Sequence, residues 1–310
     1  MTLSYDCRKL AELTPEQRDA WRRLQLDQPH LDQPFLCLEF AEAADEFRGC
    51  VEVAIATLDG KTVGLVPFHR VGKRRAVPLA DGMNEYQALI VDANADLNQR
   101  QWMAAAGLGE YCFDHLALVN ARNRATSHTT GPCPFADLSG GFDNYCETLK
   151  QRGSRTIRET LRKQRKLSRE IGEVRFQLET DSTEAFDALI RWKQTQHKRT
   201  DVYDTFAHDS VIDFLRRVWK TQTPQFSGFL CTLHAGDSLV AVHLGIRTSR
   251  VAHMWFPAYD ADLQNYSPGL VMMQEMTKAL ADQGIQRLDF GPGPQRYKRS
   301  LATDAYDVGI

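Results

Sequence analysis

Trp255-Phe-Pro-Ala-Tyr259-Asp260-Ala-Asp-Leu-Gln-Asn-Tyr266-Ser267-Pro268-Gly269-Leu270 reads as a strand end, a polar loop and a helix start. Apolar residues at Leu270, Met273, Met276 and Leu280 continue it with helical spacing. Ser267 is expected to cap the helix with its hydroxyl, and Pro268 is tolerated in the first turn because its missing N–H has no partner there anyway. Gly269 lets another group approach the backbone closely. Unpaired N–H groups and the positive end of the helix dipole make such a start an anion site. A purely structural helix start would carry the same residues. The run Arg287-Leu-Asp289-Phe-Gly-Pro-Gly-Pro-Gln-Arg-Tyr297-Lys298-Arg-Ser-Leu301 follows the helix, with a strand expected over 287–291.

Upstream, Phe229 to His234 and Leu239 to Ile246 flank Ala235-Gly236-Asp237 and predict a hairpin. A similar one is predicted earlier, where Val51 to Leu58 and Thr62 to Phe68 are joined through Asp59-Gly60-Lys61. In letters, Thr57-Leu58 falls opposite Thr232-Leu233 and Gly60 near Gly236. Each hairpin is followed by strand, helix and strand: 86–92, 95–106 and 113–119 in the first copy, 251–257, 270–283 and 287–291 in the second. An amphipathic helix is expected over 8–27, with Thr14 and Pro15 at a cap. The order predicts a duplicated α+β (mixed α/β) unit, a mixed central sheet flanked by helices. The loop signal Gly140-Gly141 divides the chain into domains 1–139 and 140–310.

Composition bounds the partners. The 310 residues suffice for two domains, and a net charge of −2 gives no reason to expect a polyanion over the whole surface. Seven scattered cysteines, never spaced as C-x-x-C, argue against a disulfide framework and a zinc site, so no metal is expected. Cys231 remains a minor catalytic candidate. The N-terminus carries no apolar signal-peptide core and no apolar run approaches the ~20 residues of a membrane helix, so a cytoplasmic chain is expected. The stretch Lys150 to Arg169 holds nine basic residues against Glu159. It reads as a helix with a buried stripe of Ile157, Leu161, Leu167 and Ile171, whose basic face is either solvated, a site for phosphate groups or an acidic substrate, or a nucleic-acid contact; lack of interleaved aromatics makes nucleic acid unlikely.

Taken together, Tyr259-Asp260, Tyr266-Ser267-Pro268-Gly269, Gly284, Asp289-Phe290-Gly291, Gly293, Tyr297-Lys298 and, on an earlier helix, Trp192-Lys193 with Gln196, resemble the GNAT superfamily. The resemblance extends to the tandem-GNAT acetyltransferases of the cellulose-biosynthesis type, which are related to Fem-type transferases. It covers most of the chain and is specific over roughly 190–300. It implies two GNAT-like domains in tandem and acetyl-CoA or another acyl-CoA as co-substrate. The acyl-CoA would lie between splayed strands 251–257 and 287–291, its pyrophosphate at the helix start formed by Tyr266, Ser267, Pro268, Gly269 and Leu270. Lys298 would hold a phosphate or be an ordinary surface lysine. Trp192, Lys193, Gln196 and Tyr259 are the implied substrate-binding residues. Tyr297 is the implied acid that protonates the leaving thiolate; its alternative is a packing role at the rim of the core.

Three groups compete for the base. Asp289 alternates with Leu288 and Phe290, so it faces the cleft or pairs with Arg287 or Lys298. His243 stands in an apolar strand, where a hydrogen-bonded core histidine is the simple alternative. His253 is the third. The first copy has Asp92-Ala-Asn-Ala-Asp-Leu97 where the second has Ser-Pro-Gly, and is read as a degenerate copy that shapes the acceptor groove. The expected activity is acyl transfer, principally N-acetylation, to a small amine, amino acid or envelope or exopolysaccharide saccharide. A Fem-like transferase using charged tRNA, and a non-enzymatic scaffold, are the alternatives.

Overall fold

The computed structural model describes residues 2–80, 82–117, 129–293 and 295–309. The chain divides into two compact units, Met1–Pro132 with Tyr306–Ile310, and Cys133–Ala305.

In the first unit, β1 (Leu3–Lys9) leads to α1 (Pro15–Leu26) and α2 (Leu38–Arg48). Strands β2 (Val51–Leu58), β3 (Lys61–Val71), β4 (Arg75–Val77) and β5 (Ile90–Val91) follow, then α3 (Gln99–Ala105), β6 (Glu110–Tyr111) and β7 (Leu116–Ala117). The sheet runs β1-β2-β3-β4-β6, with β5 pairing β3 off this path. Neighbours are antiparallel except β4 and β6, which are parallel. Helix α1 starts on a capping box: Thr14 Oγ1 accepts from Gln17 N while Gln17 Oε1 accepts from Thr14 N. The first hairpin turns on Asp59 (φ 48°) and Gly60 (φ 81°), the pair of positive φ values that a type I′ turn requires.

In the second unit, β8 (Thr130–Asp137) precedes α4 (Gly141–Gln151), α5 (Thr156–Glu170), β9 (Val174–Gln177), α6 (Thr183–Thr200) and α7 (Asp209–Lys220). Strands β10 (Ser227–Ala235), β11 (Ser238–Arg247) and β12 (Val251–Tyr259) form a meander. Helix α8 (Pro268–Asp282), β13 (Arg287–Asp289), α9 (Arg296–Leu301) and β14 (Asp304–Gly309) complete the chain. Here the order is β8-β13-β12-β11-β10-β9, antiparallel except for β12 and β13. Helices α4, α5 and α8 cover one sheet face: Tyr145, Leu149, Leu167, Val271, Met276 and Leu280 pack with Phe229, Met254 and Leu288 in one core. Helices α6 and α7 pack on β10, β11 and β12 outside that core, with Phe186 stacked on Trp219 at 5.1 Å and Phe214 edge-on to Trp255 at 6.0 Å.

The two units repeat one plan. Each is strand, two helices, three-strand meander, helix, and a strand parallel to the meander's last: β1, α1, α2, β2–β4, α3, β6 against β9, α6, α7, β10–β12, α8, β13. Both hairpins carry a register shift just before the turn, between Ala56 and Thr57 and between Leu233 and His234. Thr57 therefore corresponds to His234, two residues from the pairing suggested by letters. Other details of the sequence reading are corrected. Residues 3–9 are a strand, so the first helix begins at Pro15. The counterpart of β12 is the three-residue β4 and not 86–92, where β5 spans only two residues. Helix 95–106 shortens to Gln99–Ala105. The closing parallel strand is Glu110–Tyr111; within 113–119 only Leu116–Ala117 is strand, and Leu118 and Val119 lie outside the described residues. On α5 the buried positions are Thr160 and Leu167, while Leu161 and Ile171 are exposed.

Candidate active site

Strands β12 and β13 pair over three positions only: Val251 with Arg287, Ala252 with Leu288, His253 with Asp289. Beyond His253, β12 continues to Tyr259 alongside β11 alone. The sheet forks at the His253–Asp289 pair. From the β12 end, a 3-10 helix (Ala261–Tyr266) delivers the chain to Ser267, where α8 begins.

Ser267 is left-handed (φ 52°, ψ 51°), and its side chain makes no cap hydrogen bond. The hydroxyl cap expected from sequence is replaced by the Ser267 carbonyl, which accepts from Leu270 N (3.0 Å) and Val271 N (3.2 Å). A non-glycine residue in this region costs about 1–3 kcal/mol, held here by its surroundings. Pro268 is buried at the first helical position. The close approach that Gly269 permits is that of the Tyr259 ring, 3.3 Å from where a Cβ would sit.

This helix start borders a cleft of about 880 Å³ in the second unit, within the range of small-molecule sites. Ser267, Leu270 and Tyr297 line it together with six cations: Arg152, Arg155, Arg162, Lys163, Arg296 and Arg299. Glu159 is the one carboxylate among the lining residues. Lys163 Nζ donates to Asn265 O at 2.6 Å, and none of the five arginines pairs with a carboxylate among the described residues. The starts of α5 (Thr156) and α8 (Ser267) both border the cleft, so two positive helix ends add to the side-chain field. Ser154 Oγ donates to Ser300 O at 3.0 Å and fixes the α4–α5 loop to α9.

The expected site residues separate into groups. Tyr297, Ser267 and Leu270 meet at the cleft. Tyr266 does not line it: its hydroxyl donates to Glu170 Oε2 at 3.1 Å, Lys166 Nζ stands 5.1 Å from its ring centroid, and the bond to Glu170 raises its pKa. Lys298 is not an ordinary surface lysine. It is buried, and Nζ donates to Pro292 O (2.7 Å) and Gly291 O (3.3 Å), closing the loop after β13. The cations at the cleft are its neighbours Arg296 and Arg299, which sequence reasoning passed over although they stand i, i+3 around Tyr297 on α9.

Asp289 is fully buried, with Arg287 Nε 3.2 Å from its Oδ1. His243 is fully buried beside Phe229, and neither ring nitrogen finds a hydrogen-bond partner among the described residues, so it is not the hydrogen-bonded core histidine expected. Burial, with smaller contributions from Lys193 and His253, lowers its pKa to about 3 and keeps the ring neutral. His253 is also buried, opposite Asp289. Cys231 is fully buried, and burial pushes its thiol well above its ordinary value, which disfavours the thiolate that a nucleophile needs. Trp192, Lys193 and Gln196 lie on α6, across the sheet from α8; Lys193 Nζ donates to Gln196 Oε1 at 3.4 Å and stands 6.0 Å from the Phe256 ring centroid. Tyr259 is apart from them, beside Gly269.

In the first unit the corresponding helix start is closed by its own residues. Asn98 Oδ1 accepts from Arg100 N (3.1 Å) and Gln101 N (3.2 Å), and Leu97 and Trp102 fill the space at Gly64, both 2.9 Å from a Cβ placed there. Among the described residues no helix is long and apolar enough to cross a membrane, and no group of three or more His, Cys, Asp or Glu is placed to hold a metal.

Residues 155–299 match the family described as acetyltransferase (GNAT) domain. No curated protein matches the chain. Among solved structures, FemX superposes with a TM-score of 0.63 at 12% identity over 100% of this chain and 95% of its own. A tandem GNAT protein from the clavulanic acid biosynthesis pathway gives 0.56 at 10% over 99% and 97%. L-PGS from Bacillus licheniformis gives 0.55 at 12% over 95% and 90%. At these identities the likeness is one of fold. The chain has a tandem fold of the GNAT type, and its second unit carries the segment that matches the acetyltransferase (GNAT) domain family.

Proposed function

We propose that the chain is an acyltransferase that moves an acyl group from acetyl-CoA or another acyl-CoA to an amine or hydroxyl of a small molecule or saccharide. The observation that carries this reading is the 880 Å³ cleft in which Ser267, Leu270 and Tyr297 meet six cations beside the β12–β13 fork. Five arginines without carboxylate partners fit a donor bearing several phosphate charges. The N–H of Gly269 has no partner among the described residues and stands ready at the helix start for one of them. The fork opens the sheet between the α8 face, where the donor would lie, and the α6 face, where Lys193 and Gln196 would meet the acceptor.

When the acceptor attacks the thioester carbonyl, the C–S bond breaks and its electron pair leaves on sulfur. Tyr297, on the first turn of α9, would give that sulfur its proton. Asp289 at the fork, ion-paired with Arg287, is the proposed acceptor of the nucleophile's proton. His243, with a pKa of about 3, holds a proton poorly and is better suited to a neutral hydrogen-bonding role.

The arginine density also favours a second reading, an aminoacyl-tRNA donor in the same cleft. A thermal shift separates donors: at 100 times its dissociation constant a ligand adds about 2.7 kcal/mol of stability. Stabilisation by acetyl-CoA and none by tRNA is expected. The reverse would assign the cleft to tRNA. No response to either would leave a binding module for another ligand.

A further inference from the structure

Helix α5 carries an arginine stripe on the face turned away from its core. Arg158, Arg162, Arg165 and Arg169 recur at i, i+4, i+7 and i+11, which is one side of a helix. The buried Thr160 and Leu167 occupy the opposite side. Leu161, 37% exposed, adjoins the stripe, and Ile171, 39% exposed, follows the helix end. On α1, Arg18, Arg22 and Arg23 each stand within 4 Å of a carboxylate. On α5, Glu170 takes Arg169 at 2.8 Å and Lys166 at 3.7 Å, while Arg158, Arg162 and Arg165 pair with no carboxylate among the described residues. In a chain of net charge −2 this is a local excess, and unneutralised arginines on one exposed face call for an anionic partner.

The chemistry of the stripe selects among anionic partners. Single-stranded nucleic acid is held by aromatic rings on which bases stack, and positions 158, 161, 162, 165, 168 and 169 carry none. The nearby ring of Tyr266 is occupied by Lys166 and Glu170. Exposed aliphatic side chains beside cations suit the boundary between lipid headgroups and acyl chains. We infer that the outer face of α5 docks the protein on an anionic phospholipid surface, with Arg158, Arg165 and Arg169 at the headgroups and Leu161 inserted below them. Because Arg162 belongs both to this stripe and to the cleft wall, docking would hold the cleft's rim at the headgroup layer. The inference does not depend on which donor the cleft takes.

Flotation of the full chain with vesicles tests it. Equal parts of phosphatidylglycerol and phosphatidylcholine are compared with phosphatidylcholine alone at low and high salt. Binding to the anionic vesicles only, weakened by salt, is expected. Each basic residue near an anionic surface contributes on the order of fivefold in affinity. Arg158→Glu with Arg165→Glu, both outside the cleft wall, should lower binding by at least about 25-fold, and Leu161→Asn by several-fold, with unchanged melting temperature and acetyl-CoA response. No binding to anionic vesicles, or binding indifferent to these substitutions, would overturn the inference. So would tRNA binding tighter than vesicle binding at matched salt and lost in the same variants, which would assign the stripe to nucleic acid.

Discussion

The Tyr259 ring lies against the backbone of Gly269: a Cβ added to Gly269 would stand 3.3 Å from Tyr259 Cδ1. The last residue of β12 thus braces the first turn of α8, and the ring fixes the helix start against the strand that forks from β13. Gly269→Ala should gain about 1 kcal/mol of helix propensity and lose a similar amount to crowding by Tyr259. A net change within about 1 kcal/mol in urea unfolding is expected; a much larger loss would mean that the ring cannot yield.

Lys298 braces the loop after β13. Lys298→Met leaves the Gly291 and Pro292 carbonyls without their charged donor. The expected cost is about 1.5–3 kcal/mol in urea unfolding, with acetyl-CoA affinity within a few fold. A large affinity loss at unchanged stability would restore Lys298 as a phosphate ligand.

His243 gives the second unit an acid sensitivity of defined sign. Its pKa falls from an ordinary 6.5 in the unfolded chain to about 3 in the fold, because burial disfavours the cation. The unfolded chain therefore binds the extra proton between these values, and stability is lost as pH falls below 6.5. The slope approaches about 1.4 kcal/mol per pH unit until the folded pKa is reached. His243→Phe should flatten the dependence between pH 6 and pH 4 in roughly that proportion. Parallel curves for the two proteins would mean that the imidazole is accessible to protons in the folded state.

The closed helix start of the first unit rests on Asn98. Asn98→Ala removes the acceptor for Arg100 N and Gln101 N and should cost about 1 kcal/mol. No new affinity for acetyl-CoA should appear, since Leu97 and Trp102 still fill the space at Gly64. A second acetyl-CoA site in this variant would show that capping alone silences the copy.

The duplication was legible because hairpins and helices repeat in the same order, and Asp59-Gly60 names its own turn. Strand β4 was not legible: three residues, Arg75–Val77, are too short for any periodicity to register. Pro268 announced the start of α8, but the left-handed backbone of Ser267 follows from the 3-10 turn that delivers it. The burial of Lys298 and the exposure of Arg296 and Arg299 depend on how the loop after β13 folds back, a tertiary choice that local residue types do not encode. The basic stretch was visible as charge; which of its arginines face the cleft and which face outward follows only from the side of α5 that Thr160 and Leu167 bury.

The most direct test of the cleft as the donor site is calorimetric titration of acetyl-CoA into the wild-type chain, Arg296→Glu and Gly269→Glu. One site per chain is predicted, with affinity reduced at least about tenfold by either substitution: Arg296→Glu reverses an ionic contact worth ~1.4 kcal/mol or more, and Gly269→Glu sets a carboxylate at the helix start. Two equal sites per chain, or full affinity in both variants, would contradict the assignment of the donor to the helix start at Ser267.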